Sequence, residues 1–235
     1  MIALDFINSL IPTLKASDNI AKATALLDDL SVDQLPVVDG SQFKGFINTD
    51  MLFDDLFDHT NVGDYQLNPE KCMVQSSQHF YEVVKAFSDC EQGMLAVIDE
   101  NQEYVGAFKA QDLLNKFAQT TAVQSPGSII EISVKQIDYS LAEITRLIEA
   151  DGVKIMGCFL QNDANDPSLL QVTFKLDRKD ASRAVATLER FNYKVISLFQ
   201  EASVASYEKE RLDALMRYLD ILPTMNEVCV LRMKG

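Results

Sequence analysis

The sequence predicts a mixed α/β (α+β) protein built from two kinds of unit. In the first half, the apolar pattern repeats with a period near 60 residues. In the second half, strand and helix patterns follow one another in the order βαββαβ. With 235 residues, 47% of them hydrophobic, the chain can bury a sizeable core in one large or two small domains.

Each repeat opens on a helix with one apolar face. The spacing i, i+3, i+7, i+10 is typical of a helix side that packs against a core. The two faces are Ile20, Ala23, Leu27 and Leu30 in the first repeat, and Phe80, Val83, Phe87 and Cys90 in the second. Ser17 and Ser77 lie just before these faces and are the predicted N-caps.

Two short strands and a closing helix complete each repeat. The first strands end in an acidic turn, and the second strands carry a glycine. The first strands are residues 35–39 and 95–99, the second strands are 43–47 and 104–108, and the closing helices begin near Met51 and Leu113. The predicted unit is therefore helix–strand–strand–helix, occurring twice.

The second half begins after a turn-rich junction at residues 125–127. Alternating or continuous apolar patterns predict four strands, and two stretches with helical spacing separate them. The strands are 130–134, 155–160, 170–176 and 195–199, and the helices are 141–148 and 181–191. This order is that of the ferredoxin-like topology.

The first half resembles a pair of cystathionine β-synthase (CBS) domains, also called a Bateman module. The residues that carry the resemblance are Leu35-Pro36-Val37-Val38-Asp39, Gly45-Phe46-Ile47, Val97-Ile98-Asp99 and Gly106-Ala107-Phe108 with Asp112-Leu113. It covers residues 1–122, with repeat 1 at about 1–60 and repeat 2 at about 61–122. The βαββαβ unit over 128–201 resembles a degenerate ACT domain, and residues 202–235 are a predicted helical tail. In this order of domains, the chain is similar to uncharacterised CBS-domain proteins of the Bacteroidetes and to proteins linked to acetoin utilisation.

The resemblance implies a small-molecule ligand, above all an adenine nucleotide, in clefts between the repeats. In such clefts a carboxylate accepts hydrogen bonds from the ribose hydroxyls, and a hydroxyl or basic side chain meets the phosphates. In repeat 2, Asp112 stands at the carboxylate position and Lys109 replaces the hydroxyl. In repeat 1, Asn48 replaces the hydroxyl and Met51 the carboxylate. The alternative for Asp112 is that it only caps its helix.

The candidate ligand residues come from both repeats. They are Asp112, Lys109, Ala107, Met73, Val74 and Leu95 in repeat 2, and Thr13, Leu14, Gln34 and Asn48 in repeat 1. In the ACT-like unit, Asp138 and Ser140 are candidates for binding the amino group of an amino acid. The loop around them, residues 135–140, lacks the glycine that amino-acid-binding ACT domains usually carry, and a helix cap is the simpler explanation.

Composition and motifs exclude several classes. The net charge of −14 argues against a nucleic-acid surface and against anionic membranes. No apolar run approaches the ~18 residues of a membrane span, and no signal peptide is present, so we expect a cytoplasmic protein. Cys72, Cys90, Cys158 and Cys229 form no C-x-x-C pair and are predicted to be free thiols in a reducing compartment. No catalytic motif, metal-binding motif or cofactor fingerprint occurs.

The sequence therefore predicts a non-catalytic regulatory protein that senses a small molecule and acts on an effector protein. The sequence does not identify that effector. A homodimer is expected, because a four-stranded sheet leaves edges and a face to cover. The alternative is a structural interaction or dimerisation module that binds no ligand.

Overall fold

The computed structural model describes residues 1–53, 60–90 and 93–200. The chain divides into two compact units between Thr120 and Thr121. Both contain helices and strands, so the predicted α+β class is confirmed. The predicted helical tail and Cys229 lie outside the described residues, and the sequence-based domain limits stay predictions. Within the described ranges, no helix is long and apolar enough to cross a bilayer.

Repeat 1 folds as a helix followed by a hairpin. Its elements are α1 (Ile20–Leu30), β1 (Gln34–Asp39), β2 (Gln42–Asn48) and α2 (Thr49–Phe53). The strands pair antiparallel, with a bulge between Val37 and Val38. The cap of α1 is Asn19 and not Ser17, because the Asn19 Oδ1 accepts a hydrogen bond from the Lys22 backbone N–H at 2.8 Å.

Repeat 2 has the same plan with one more strand. Its elements are β3 (Met73–Gln75), α3 (Phe80–Asp89), β4 (Met94–Ile98), β5 (Tyr104–Lys109) and α4 (Ala110–Ala118). β4 lies between β3, which is parallel to it, and β5, which is antiparallel. The bulge recurs between Val97 and Ile98. The cap of α3 is His79 and not Ser77: the His79 Nδ1 accepts from the Tyr81 backbone N–H at 3.4 Å.

Each repeat is preceded by a short segment that packs on the other repeat. The segment before repeat 1 forms a 3-10 turn at Ala3–Phe6 and bonds to the start of repeat 2. There the Ala3 N–H donates to the Gln78 carbonyl at 2.9 Å, and the Phe80 N–H donates to the Met1 carbonyl at 3.0 Å. We call this stretch, residues 1–10, leader 1.

The segment before repeat 2, residues 60–68, makes the matching contacts with repeat 1, and we call it leader 2. The Val62 N–H donates to the Asp18 carbonyl at 2.9 Å, and the Ile20 N–H donates to the Thr60 carbonyl at 3.3 Å. Val62 stands 59 positions after Ala3, and Asp18 stands 60 before Gln78. The two repeats thus exchange their leaders through hydrogen bonds at matched positions.

Both leaders pass over a glycine on the second strand of the repeat that receives them. A Cβ at Gly45 would lie 2.8 Å from the Leu67 Cβ, and a Cβ at Gly106 would lie 2.5 Å from the Ile7 Cγ2. Gly45 also has a φ of +132°, a conformation that residues with a side chain rarely adopt. The close approach of each leader therefore requires glycine.

The two repeats share apolar core as well as backbone hydrogen bonds. The cluster around repeat 2 includes Phe6 from leader 1 together with Phe43 and Phe46 from repeat 1. The Phe6 ring lies 5.6 Å from that of Phe108, and the Phe43 ring stacks on Tyr104 at 6.0 Å. The first unit is consequently one packed body and not two independent repeats.

The cysteine prediction is wrong for two of the four residues, because Cys72 and Cys90 form a disulfide. Cys72 lies just before β3 and Cys90 just after α3, so the return of the helix along the strand brings them together. Closing a loop with this 18-residue separation restricts the unfolded chain, an effect of about 3 kcal/mol for loops of similar size. Cys158 is the free cysteine of the described part. The expectation of a reducing compartment rested on four free thiols, and it is weakened because two of the four cysteines are oxidised to a disulfide.

The second unit is a four-stranded sheet whose two longer helices pack on one face. Its elements are α5 (Thr121–Gln124), β6 (Ile129–Lys135), α6 (Leu141–Glu149), β7 (Ile155–Asn162), β8 (Leu169–Leu176), α7 (Ser182–Arg190) and β9 (Lys194–Phe199). The sheet order is β7-β8-β6-β9, and all neighbours are antiparallel. The predicted ferredoxin-like topology is confirmed.

Replacing Gly45 by alanine should destabilise the first unit by about 1–3 kcal/mol, because the positive φ is strained and the new Cβ meets leader 2. Urea unfolding followed by circular dichroism measures the loss. Gly93→Ala is the matched control, since a Cβ at Gly93 meets nothing within 4 Å. Equal stability of the Gly45 and Gly93 variants would show that leader 2 does not pack as described.

Candidate functional site

A cavity of about 260 Å³ lies between the two repeats, and we call it the central cavity. Gln34 and Asn48 line it from repeat 1, and Gly93, Met94 and Lys109 line it from repeat 2. Three of the sequence-predicted residues are thus brought together. The first strands begin here and the second strands end here, so equivalent positions of both repeats meet.

Gln34 links the repeats across the wall of this cavity. Its side chain is buried, and in the orientation that satisfies both neighbours its Oε1 accepts from the backbone N–H groups of Gly93 at 3.2 Å and Met94 at 3.0 Å. The backbone N–H groups of Gly93 and Met94 are therefore already hydrogen-bonded to Gln34. The structure therefore places Gln34 as a bridge between the repeats.

Lys109 carries the positive charge of the central cavity. It ends β5, is half-buried, and has no ion pair or side-chain hydrogen bond with any part of the chain that the structure describes. Asp33 and Asp50 line the same cavity. An ammonium without a partner in a concave, polar site suits an anionic ligand group such as a phosphate.

Asp112 is engaged within the chain, as its alternative interpretation predicted. Its Oδ2 accepts from the Lys109 backbone N–H at 2.9 Å and so caps α4. Its Oδ1 accepts from the Asn8 Nδ2 at 3.1 Å. Asp112 lines a second cavity of about 370 Å³ with leader 1 and Asn115, and the Lys109 side chain does not line that cavity. The two predicted partners of a nucleotide thus face different cavities.

Asn48 has the corresponding role in repeat 1. Its Oδ1 accepts from the Met51 backbone N–H at 2.8 Å, at the start of α2. In both repeats, a polar side chain at the end of the second strand or in the first turn of the following helix satisfies the backbone there.

The remaining predicted residues line neither cavity. Leu14, Val74, Leu95 and Ala107 are buried in the apolar clusters, Met73 is half-buried, and Thr13 is exposed. The carbonyl of Ala107 accepts the backbone N–H of Asn8 at 2.9 Å, so leader 1 occupies the strand edge beside Gly106. The four buried side chains belong to the core, Met73 packs against it, and Thr13 lies at the surface.

Sequence reasoning missed Asn8. The residue lies outside the repeat pattern and is 104 positions from its partner Asp112. Only the exchange of leaders brings the two together, and no spacing in the sequence signals that exchange.

The second unit has a cavity of about 550 Å³ at the end of β6, lined by side chains of both charges. They include the acids Asp138 and Glu143, the bases Lys135 and Lys194, and the phenol of Tyr193. Burial raises the pKa of Tyr193, and the neighbouring Glu143 carboxylate raises it further. The second candidate of this loop, Ser140, caps α6 by accepting from the Glu143 N–H at 3.4 Å.

The cap by Asp112 predicts a loss of stability that needs no ligand. Asp112→Ala leaves the start of α4 and the Asn8 amide without a partner and should cost about 0.5–2 kcal/mol in unfolding free energy. Asp28→Ala removes an exposed carboxylate that has no side-chain hydrogen bond to any described residue and is the matched control. Thermal unfolding that does not separate the two variants would contradict the role of Asp112 as a cap.

No protein-family model matches the chain. Among solved structures, it is similar to a CBS domain pair/ACT domain protein of Thermotoga maritima, with 18% identity, 52% of this chain and 99% of that chain covered, and a TM-score of 0.46. A complex of CBSX2 with AMP has 21% identity, covers 50% of this chain and 96% of that chain, and has a TM-score of 0.44. The CBS domains of a transcriptional regulator of Streptococcus pneumoniae have 14% identity, cover 49% of this chain and 98% of that chain, and have a TM-score of 0.44. The likeness to these CBS-domain structures is one of fold and spans about half of the chain.

Proposed function

We propose that this protein is a non-catalytic regulatory protein whose first unit binds an anionic small molecule, an adenine nucleotide, between its two repeats. The observation that carries the proposal is the ammonium of Lys109, which has no ion pair or side-chain hydrogen bond among the described residues and lies in the central cavity, whose walls come from both repeats. A phosphate placed there gains a charge-assisted hydrogen bond, the stronger class of such bonds. The central cavity is smaller than the 300–1,000 Å³ typical of ligand pockets, which suits one end of a nucleotide.

Asp112 lines a different cavity, so it can serve as the partner of the ribose only if the nucleotide reaches from the central cavity to the cavity beside leader 1. A ribose hydroxyl that donates to the Oδ1 of Asp112 must first displace the Asn8 amide from that oxygen. Binding is then coupled to leader 1, which connects the two repeats. This coupling is how occupancy of the site would change the surface offered to an effector protein.

The alternative is an interaction module that binds no ligand. A specific observation favours it: both oxygens of Asp112 and the side-chain oxygen of Gln34 already have partners inside the chain. These side-chain oxygens therefore need no ligand to complete their hydrogen bonds. The binding experiment below separates the two functions.

An amino acid is a second candidate ligand, in the second unit. The cavity beside Asp138 offers carboxylates for an ammonium group and lysines for a carboxylate, which together suit a zwitterion. This ligand needs no residue of the first unit. Substitutions at Lys109 should therefore leave the affinity for the amino acid unchanged.

Calorimetry of the full chain with AMP, the ligand of the similar CBSX2 complex, tests the main proposal. Lys109→Ala removes one charge-assisted contact of about 1.5–3 kcal/mol and should weaken AMP binding at least tenfold. Lys85→Ala removes an exposed lysine of α3 that lies outside the central cavity and should leave the affinity unchanged.

Three outcomes would count against the main proposal. Absence of binding by AMP, ADP and ATP favours the interaction module. If Lys109→Ala and Lys85→Ala lose the same affinity for AMP, the loss comes from the change in net charge and not from a contact at Lys109. A heat signal with amino acids alone, unchanged by Lys109→Ala, would move the ligand site to the second unit.

A further inference from the structure

We propose that one face of the sheet in the second unit is a docking surface for a later segment of the same chain, residues 202–219. We call these residues the tail segment, and they lie outside the described residues. The proposal does not rest on the ligand assigned to the first unit. A second copy of the chain, or a different protein, is an occupant that the experiments below distinguish from the tail segment.

The helices α6 and α7 leave one face of this sheet uncovered. They pack on the face that presents Ile132, Val172 and Phe174, which belong to the apolar core of the second unit. Successive side chains of a strand point to opposite faces, so Glu131 and Thr173 point away from these helices. We call this second face the open face. The short helix α5 lies against its β7 side.

Exposed aromatic rings stand at both edges of the open face. Phe199 is 55% exposed and ends β9, where it lies opposite Ile129 of β6. Phe159 is 47% exposed and lies on β7 opposite Thr173 of β8. Apolar groups left exposed on the face of a sheet indicate a surface that a further element covers. An occupant that covers both rings has to reach across all four strands.

The sequence of the tail segment has the pattern and the length that this surface requires. Its spacing predicts a helix with one apolar side, formed by Val204, Tyr207, Leu212, Leu215, Met216 and Leu219. Eighteen helical residues extend about 27 Å. Strands about 4.8 Å apart place the two edges of a four-stranded sheet about 14 Å from each other. One helix can therefore reach from Phe199 to Phe159.

Charge complementarity supports the same occupant. Glu131 and Lys175 lie on the two inner strands and are diagonal neighbours on the open face, although the Lys175 ammonium also donates to the Gly127 carbonyl at 3.0 Å. In the tail segment, Glu208 and Arg211 fall on the apolar side of the predicted helix, since residues three and four positions apart share a side. The acid and the base of that helix can pair with the base and the acid of the open face.

The place where the described chain ends favours the tail segment over a second copy. β9 ends at Phe199, on the open face, and the described residues end at Gln200. A segment attached there is held near the face at an effective concentration of the order of millimolar, which a separate molecule rarely reaches. The net charge of −14 also makes two copies of the chain repel each other.

Thiol labelling of the full chain tests whether the tail segment covers the open face. Thr173→Cys, in a Cys158→Ser, Cys229→Ser background, places a reactive thiol on an inner strand of this face. Leu215→Lys charges the apolar side of the predicted helix and should raise the labelling rate at least tenfold, because it releases the segment. Ser206→Lys adds the same charge on the opposite side of that helix and should leave the rate unchanged. Equal labelling rates in the two lysine variants overturn the proposal.

A cross-link identifies the occupant and keeps the test valid if Leu215→Lys fails to fold. In the same background, Thr173→Cys and Leu215→Cys should be joined within one chain by a short bis-maleimide, so the product keeps the 26.3 kDa mass of one chain on a denaturing gel and peptide mass spectrometry finds the linked pair. Glu189→Cys replaces Thr173→Cys in the control, since Glu189 is exposed on α7, and should stay unlinked. A covalent dimer, which would make a second copy the occupant, overturns the proposal, as does the absence of a link to Thr173→Cys.

Discussion

The exchange of leaders between the two repeats is the constraint on which the first unit depends. Each leader donates and accepts backbone hydrogen bonds at the start of the other repeat, at matched positions in the two halves. Neither repeat can satisfy these backbone groups with its own leader, because the partner positions lie on the opposite repeat. Glycines at positions 45 and 106 leave room for the two crossings. The two repeats are therefore packed as one body.

The chemistry of the candidate site follows from this arrangement. Because leader 1 lies along β5, Asn8 reaches Asp112 and takes one of its oxygens. Because both repeats line the central cavity, Gln34 reaches the backbone at Gly93 and Met94, and Lys109 lies there as a cation without a partner among the described residues. In the proposed function, a ligand at Lys109 would act on the contact between the repeats, and a ligand that reaches Asp112 would act on leader 1. In either case, binding would change how the first unit packs.

Much of this architecture could be predicted from periodicity, because burial of one face leaves a regular apolar pattern. The doubled helices, the hairpins and the βαββαβ order were all visible in that way. The helix caps were not, since Asn19 and His79 lie at the same 60-residue offset as Ser17 and Ser77, and only backbone geometry selects between them. The Cys72–Cys90 disulfide and the Asn8–Asp112 bond depend on how the chain returns on itself, which local spacing does not encode. The two leaders match at an acid followed by an aromatic residue, Asp5-Phe6 and Asp64-Tyr65, and differ at most other positions.

Hydrogen–deuterium exchange of the full chain, with and without saturating AMP, tests the central claim that a ligand binds between the repeats. The account predicts slower exchange on both walls of the central cavity, at the amides of residues 48–50 and 93–94, with the second unit unchanged. Protection on both walls would show that the two repeats hold the ligand together. Protection confined to the second unit, or an AMP-bound chain whose cavity amides exchange as before, would contradict it.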